Sequence, residues 1–458
     1  MAESVVRPIS ALAQELAEGK TTSRKLIEAA LARIADAGGE GGRAFIKVHA
    51  QAALLAAEAS DRLRKDGVVP SPLAGLPVSI KDLFDIAGEV TTAGSKILRD
   101  AAPADADAVA VARLRSAGAV VIGRSNMTEF AFSGVGLNPH YGTPANPYDR
   151  RARRIPGGSS SGAAVSVADG MAAFALGTDT GGSARIPAAL CGIAGFKPTQ
   201  SRIPRDGTFP LSTTLDSIGP LAPTVACCVT VFQVLAGERP HALTPPEFPG
   251  LRLGVPKNTM LEDLDAEVTR AFEATLQRFS RRGAKILEIE VPEFDEVAKA
   301  NSSGGISPPE AYAVHRGWID REREFDPRVR ERILKGGSIL AADYIELLRI
   351  RARLMRSFTR ANYDIDVLVM PTVPRIAPPI DDLERDPEIF RRVNALMLRN
   401  TNPINFLDGC ALSLPIHVPR DARVGLMVVG FAGDDERVLS AGLALEAATA
   451  YQGPILVG

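Results

Sequence analysis

The sequence is sparing with the groups through which many enzymes work. Among 458 residues there are five histidines, four cysteines and one tryptophan, and aromatics make up only 5%. Cys191, Cys227, Cys228 and Cys410 form no CxxC pair and sit in apolar surroundings. That pattern excludes a thiolate zinc site and reads as buried, reduced thiols of a cytoplasmic protein. Charge of either sign is also lacking in excess: 53 Lys and Arg against 54 Asp and Glu leave a net charge of −1. Binding to a nucleic-acid backbone needs a basic surface that this balance does not provide. The one basic run, Arg150, Arg151, Arg153 and Arg154, reads as a solvated loop. No stretch of about eighteen apolar residues occurs, and MAESVVRPISALAQEL lacks both a basic start and a continuous apolar core, so neither a membrane span nor a secretion signal is expected. Glycine-rich nucleotide motifs of the G-x-x-x-x-G-K-[ST] and G-x-G-x-x-G types are missing. Nothing in the chain calls for a cofactor or a metal.

What remains is 45% hydrophobic and 23% charged, ample for a buried core. Leu26, Ile27, Ala30, Leu31 and Ile34 recur at helical spacing, with Thr22 or Ser23 as a cap, and residues 49–65 repeat the pattern. LAGLPVSIKD then predicts a strand ending near Lys81, followed by a helix over 105–117 and a strand at 119–123. Short apolar runs at 172–177, 252–255, 285–289, 366–370, 411–414 and 424–429 alternate with helical patterns at 265–281, 340–360 and 434–448. This alternation defines an α/β protein. GERPHALTPPEFPG at 237–250 holds four of the 33 prolines and is the best seam. The expected organisation is a helical N-terminal segment over 1–70, a core over 71–236, and a second half of the same domain over 251–458. Irregular composition at 126–136, 301–318 and 371–400 marks these stretches as candidate substrate loops.

Residues 156–198 contain two glycine-serine clusters separated by a small-residue helix and a strand. Consecutive N–H groups in glycine turns converge on points where negative charge can sit. If Ser183 attacks a carbonyl, Thr180, Gly181 and Gly182 are placed to donate main-chain N–H groups to the oxyanion, each worth roughly 3–4 kcal/mol. A serine nucleophile needs a base. A lysine can serve only when neutral, which means lowering its pKa from about 10.4 to roughly 7–8 at a cost of about 4 kcal/mol. Lys81 follows the apolar strand Leu76 to Ile80 and precedes Leu83 and Phe84, so burial can supply that shift.

GGSSSG at 157–162, GTDTGGSARIPAALCG at 177–192 and GLPVSIKD at 75–82 resemble the amidase signature family. Weaker echoes are NMTEFAF at 126–132, DVLVMPT at 366–372 and GLMVVG at 425–430. The resemblance implies a large mixed, twisted β-sheet covered by helices on both faces, and a Ser-Ser-Lys triad. Carried over by motif, the nucleophile falls on Ser183, the bridging serine on Ser159 and the base on Lys81. Asp179 and Arg185 are expected to hold the turn, and Ser160 to support Ser159. The family reading implies hydrolysis of a small carboxamide or ureide through a seryl acyl-enzyme. Its alternative is the amidase component of a tRNA-dependent glutamyl or aspartyl amidotransferase. Serine at 161, where that component typically has glycine, favours the stand-alone hydrolase, and a homodimer or a small helper subunit stays open as partner. Met427 stands where many members carry glutamine.

A rival reading takes G-x-S-x-G at 158–162 as a nucleophile elbow with Ser160 attacking. It lacks the required preceding strand, since YDRRARRIPG stands there, and His241, His315 and His417 belong to no acid-base motif. A penicillin-binding-protein type of site is excluded because no serine lies three positions before any lysine.

Overall fold

A computed structural model of the chain describes residues 4–449, apart from 258, 303, 362–363 and 419–420, together with 456–457. The strands are β1 (Ser4–Val5), β2 (Phe45–Val48), β3 (Pro77–Lys81), β4 (Val120–Ser125), β5 (Phe174–Asp179), β6 (Ala194–Lys197), β7 (Ser217–Ala222), β8 (Arg252–Pro256), β9 (Lys285–Ile289), β10 (Val367–Pro371), β11 (Cys410–Pro415), β12 (Gly425–Gly430) and β13 (Leu456–Val457). Eleven of them form one mixed sheet in the order β2-β4-β3-β5-β7-β6-β11-β12-β10-β8-β9, while β1 and β13 pair separately. The trios β4-β3-β5 and β10-β8-β9 are parallel, and the remaining neighbours are antiparallel. Every apolar run read as a strand is one. The proline-rich 237–250 stretch does not divide the sheet, because β6 of the first half pairs with β11 of the second.

The N-terminal segment supplies the helices Ile9–Ala17, Ser23–Ala35 and Ala50–Lys65, and Thr22 caps the second by accepting from Lys25 N at 3.1 Å. It also supplies β2, an edge strand within a region expected to be helical.

Alternation along β3 separates two chemistries. Val78 and Ile80 enter the large apolar core on one face, while Ser79 points to the other, where its hydroxyl meets Ser166 Oγ at 2.8 Å. Ser166 belongs to the helix Ser161–Ala168, every residue of which is buried. Small side chains are obligatory there: a methyl group on Gly162 would lie 2.2 Å from the carbonyl oxygen of Ala44. The Arg150–Arg154 run is braced by ion pairs, Arg150 to Asp169 and Glu40 and Arg154 to Asp149. Among the described residues no helix is long and apolar enough to cross a membrane.

Candidate active site

Parallel strands present their carboxyl ends on the same edge of a sheet, and ligand sites collect there. Lys81 ends β3, and Thr178 and Asp179 end the adjacent β5. The Lys81 ammonium lies 2.7 Å from Ser159 Oγ and 2.7 Å from Thr178 Oγ1. Lys81 is completely buried. Burial pulls its pKa from 10.5 down to about 7, against the opposing pull of the Asp216 and Asp179 carboxylates. The neutral lysine required on chemical grounds is thus accessible near neutral pH.

Ser159 follows a cis peptide bond from Gly158 and is buried with its neighbours Ser160 and Ser161. Ser160 is turned to the scaffold: its N–H donates to the Ser183 carbonyl at 3.3 Å and its hydroxyl to the Thr178 carbonyl at 3.3 Å. Of Ser159, Ser160, Ser161 and Ser183, Ser183 is the one that lines a cavity, of ≈190 Å³. Thr180 and Gly181 line the same cavity. Among the described residues the N–H groups of Thr180, Gly181 and Gly182 meet no acceptor. Gly182 has φ +133°, and a methyl group there would lie 2.2 Å from Thr401 Oγ1, so only glycine fits.

A buried ion pair fixes this turn from behind. Arg185 donates to Asp179 through Nε at 3.0 Å and Nη2 at 2.8 Å, and the N–H groups of Ala184 and Arg185 add bonds to Asp179 Oδ2 at 3.1 and 3.3 Å. Burial would raise the pKa of Asp179, but Arg185 more than offsets it and holds the carboxyl well below the usual range. Asn405 donates to Asp179 Oδ1 at 2.9 Å. Met427 is part of the same shell: its sulfur accepts from Arg185 Nη1 at 3.2 Å. Asp179 and Arg185 are bonded to each other and to the backbone of this turn, and Arg185 is not among the residues of the cavity wall.

The cavity wall combines 131–133, 211, 215, 301, 304–308, 332, 398 and 402. Stretches 126–136 and 301–318 contribute directly, the second partly through the start of the helix Ser307–His315. The third, 371–400, contributes Leu398 alone and is largely helical, not a loop, over Ile380–Arg385 and Pro387–Arg399. Asp386 caps the latter helix by accepting from the N–H groups of Glu388 and Ile389, ahead of Pro387 at its first position. None of His241, His315 and His417 reaches the cavity. His315 packs with Trp318 among Phe130, Phe209 and Phe325.

Sequence reading missed several residues of the site. Thr178 lay inside a quoted motif, beside Asp179. Asp216, Thr401 and Asn405 reach the turn from distant segments, Thr180 Oγ1 donating to Asp216 at 2.6 Å and Thr401 Oγ1 to the Gly181 carbonyl at 2.5 Å. Arg332 carries no local signal at all. It is half-buried in the cavity wall, its guanidinium stands 4.6 Å over the Phe132 ring, and among the described residues it pairs with no carboxylate.

The site thus brings together a buried lysine in contact with Ser159 and Thr178 and a glycine turn with unpaired N–H groups whose Ser183 faces a cavity. The amidase family model matches residues 25–439, and the chain belongs to the amidase signature family of hydrolases acting on C–N bonds. It is 36% identical to 2-amino-5-chloromuconic acid deaminase of Comamonas testosteroni, over 88% of this chain and 87% of that one. It is also 36% identical to a glutamyl-tRNA(Gln) amidotransferase subunit of Roseiflexus sp. (strain RS-1), over 95% of each chain. Among solved structures, the peptide amidase from Stenotrophomonas maltophilia superposes with a TM-score of 0.82 at 28% identity, covering 98% of both chains.

Proposed function

We propose that the protein hydrolyses small carboxamides bearing an anionic group, with Ser183 as nucleophile, Ser159 as proton relay and Lys81 as base. Neutral Lys81 takes the Ser159 proton while Ser159 takes that of Ser183, and Ser183 Oγ bonds to the carbonyl carbon. The oxyanion is met by the N–H groups of the Thr180–Gly182 turn. The protonated lysine returns its proton through Ser159 to the departing nitrogen as the C–N bond breaks. Water then attacks the ester, giving the carboxylate and regenerating Ser183.

The observation that carries this reading is the contact of buried Lys81 with Ser159 Oγ, next to Ser160, whose N–H donates to the carbonyl of the cavity-facing Ser183. Ser183→Ala is expected to abolish turnover and labelling by a fluorophosphonate, while Ser160→Ala keeps both. Labelling that survives the loss of Ser183 refutes it.

The substrate class rests on Arg332. A guanidinium without a carboxylate partner in the wall of a reaction cavity is a ready partner for a substrate carboxylate. The deaminase relative, named for an acid, agrees with this. Arg332→Met is expected to raise KM for an amide carrying a carboxylate and leave KM for a neutral amide unchanged; equal effects on both remove Arg332 from recognition. The second reading, a component of a tRNA-dependent amidotransferase, is favoured by the identity to the Roseiflexus protein. Association with partner chains in gel filtration, together with glutamine as preferred amide, would establish it.

A further inference from the structure

Asp216 stands behind the reaction turn without facing the cavity. Its carboxylate accepts from Thr180 Oγ1 at 2.6 Å on one side, and from the N–H groups of Leu211 at 3.0 Å and Ser212 at 3.1 Å on the other. Leu211 and Leu215 are cavity wall, and so is Thr180. One carboxylate therefore ties the end of the proposed oxyanion turn to the 211–215 part of the cavity wall.

The tie continues outward. Ser212 Oγ and Thr214 Oγ1 both donate to the Glu310 carboxylate, as does Tyr344 OH at 2.7 Å. Glu310 lies on the helix Ser307–His315, whose first residues, Ser307 and Pro308, again line the cavity. Such a chain of bonds leaves Thr180 little rotational freedom.

Asp216 also acts through space. The charges facing Lys81 are the carboxylates of Asp216 and Asp179. Asp179 is neutralised by Arg185 at contact distance, and Lys197 also acts on it. On Asp216 the main cationic influence among the described residues is Arg205. Asp82, next to Lys81 in sequence, is occupied by Arg124, whose Nε lies 2.6 Å from it. Burial raises the Asp216 carboxyl to about 6, so above that pH it is the least compensated negative charge acting on the base.

Resting on the roles proposed above, we infer that Asp216 is a positioning residue that locks Thr180 into the oxyanion turn and supplies the negative charge opposing deprotonation of Lys81. The substitution Asp216→Asn keeps size and one acceptor but removes the charge and sets an amide N–H₂ against the donors of Leu211 and Ser212. It should lower kcat roughly ten- to a hundredfold with little change in KM. It should also move the acidic limb of kcat/KM toward lower pH by about one unit, because a lysine relieved of an anion gives up its proton more readily. A purely structural role would lower activity and leave that limb in place.

Thr180→Val keeps the charge and deletes the hydrogen bond, so it should lower kcat and leave the limb unmoved, which covers the case in which Asp216→Asn fails to fold. A folded Asp216→Asn enzyme with an unmoved limb, or a Thr180→Val enzyme with undiminished kcat, overturns the inference. Failure of the underlying assignment is read separately: it appears in the wild-type enzyme as fluorophosphonate labelling at a serine other than Ser183.

Discussion

Replacing Lys81 by methionine should inactivate the enzyme and stabilise its fold. In the unfolded chain the lysine titrates at its ordinary 10.5, and in the folded chain at about 7, because burial penalises the charge. The folded state therefore binds fewer protons than the unfolded one between these values, so stability rises with pH from about 7 to about 10.5 and is lowest below that window. The gap of about 3.5 pH units corresponds to about 5 kcal/mol of destabilisation once the pH falls below 7. Methionine has nearly the same length and no charge to bury. It forfeits the hydrogen bonds to Ser159 and Thr178, about 1 kcal/mol each and more if the hydroxyls stay unpaired. The net gain at pH 7 is then about 1–3 kcal/mol.

Urea denaturation of both chains across pH 6.5–9.5 is the assay. From pH 7 to 9 the wild-type advantage at higher pH should recover about 2 kcal/mol relative to Lys81→Met. Other titrating groups are common to both chains and cancel in the difference. Parallel pH curves for the two proteins would refute the argument, since they would mean that Lys81 folds with its ordinary proton affinity.

Other expectations concern the turn and the pH profile. Gly182→Ala must place a methyl group against Thr401 Oγ1 and Ile186 at φ +133°. Loss of turnover with destabilisation of about 1–3 kcal/mol is expected, measured by activity and thermal unfolding. Asp179→Asn leaves the buried guanidinium of Arg185 without a counter-charge and should lower stability by about 3–5 kcal/mol, read from urea midpoints. Wild-type kcat/KM should fall as pH drops below about 7, where Lys81 takes up its proton, and a Lys81→Ala variant should lack that limb in its residual rate.

Much of the candidate site can be read from sequence because the residues proposed to act lie in short, contiguous motifs. Lys81 ends an apolar run, Ser159 sits in GGSSSG and Ser183 in TGGSARIP, so three motifs name three residues. Strands β10 and β12 announce themselves as unbroken apolar runs, and β3, β5 and β11 as runs broken by few polar residues, because both faces of this sheet are covered. β2, β6 and β7 are less visible. FIKV runs from buried Phe45 to exposed Lys47 and Val48 at the sheet edge, AGFK is four residues long, and SIGPLA is interrupted by glycine and proline. The helix Pro387–Arg399 was hidden by proline and charge, although Asp386 followed by Pro387 is itself a helix-start signal. Asp216, Arg332, Thr401 and Asn405 had no such signal. Their meaning comes from contacts across distances in sequence that no local pattern encodes, such as 36 residues from Thr180 to Asp216 and 226 from Asp179 to Asn405.

The junction of β6 with β11 has a consequence for how the chain reaches its native state. Residues 411–413 of β11 close on 195–197 of β6, so this pairing must bridge more than two hundred residues. During synthesis β6 can pair with β7 but lacks β11 on its other side until residue 415 has been made, and an unpaired strand edge is a template for association between molecules. Non-local closure of this kind is slow. The strand pair that joins the two halves therefore closes across a long loop, and aggregation in refolding should fall as the protein concentration is lowered.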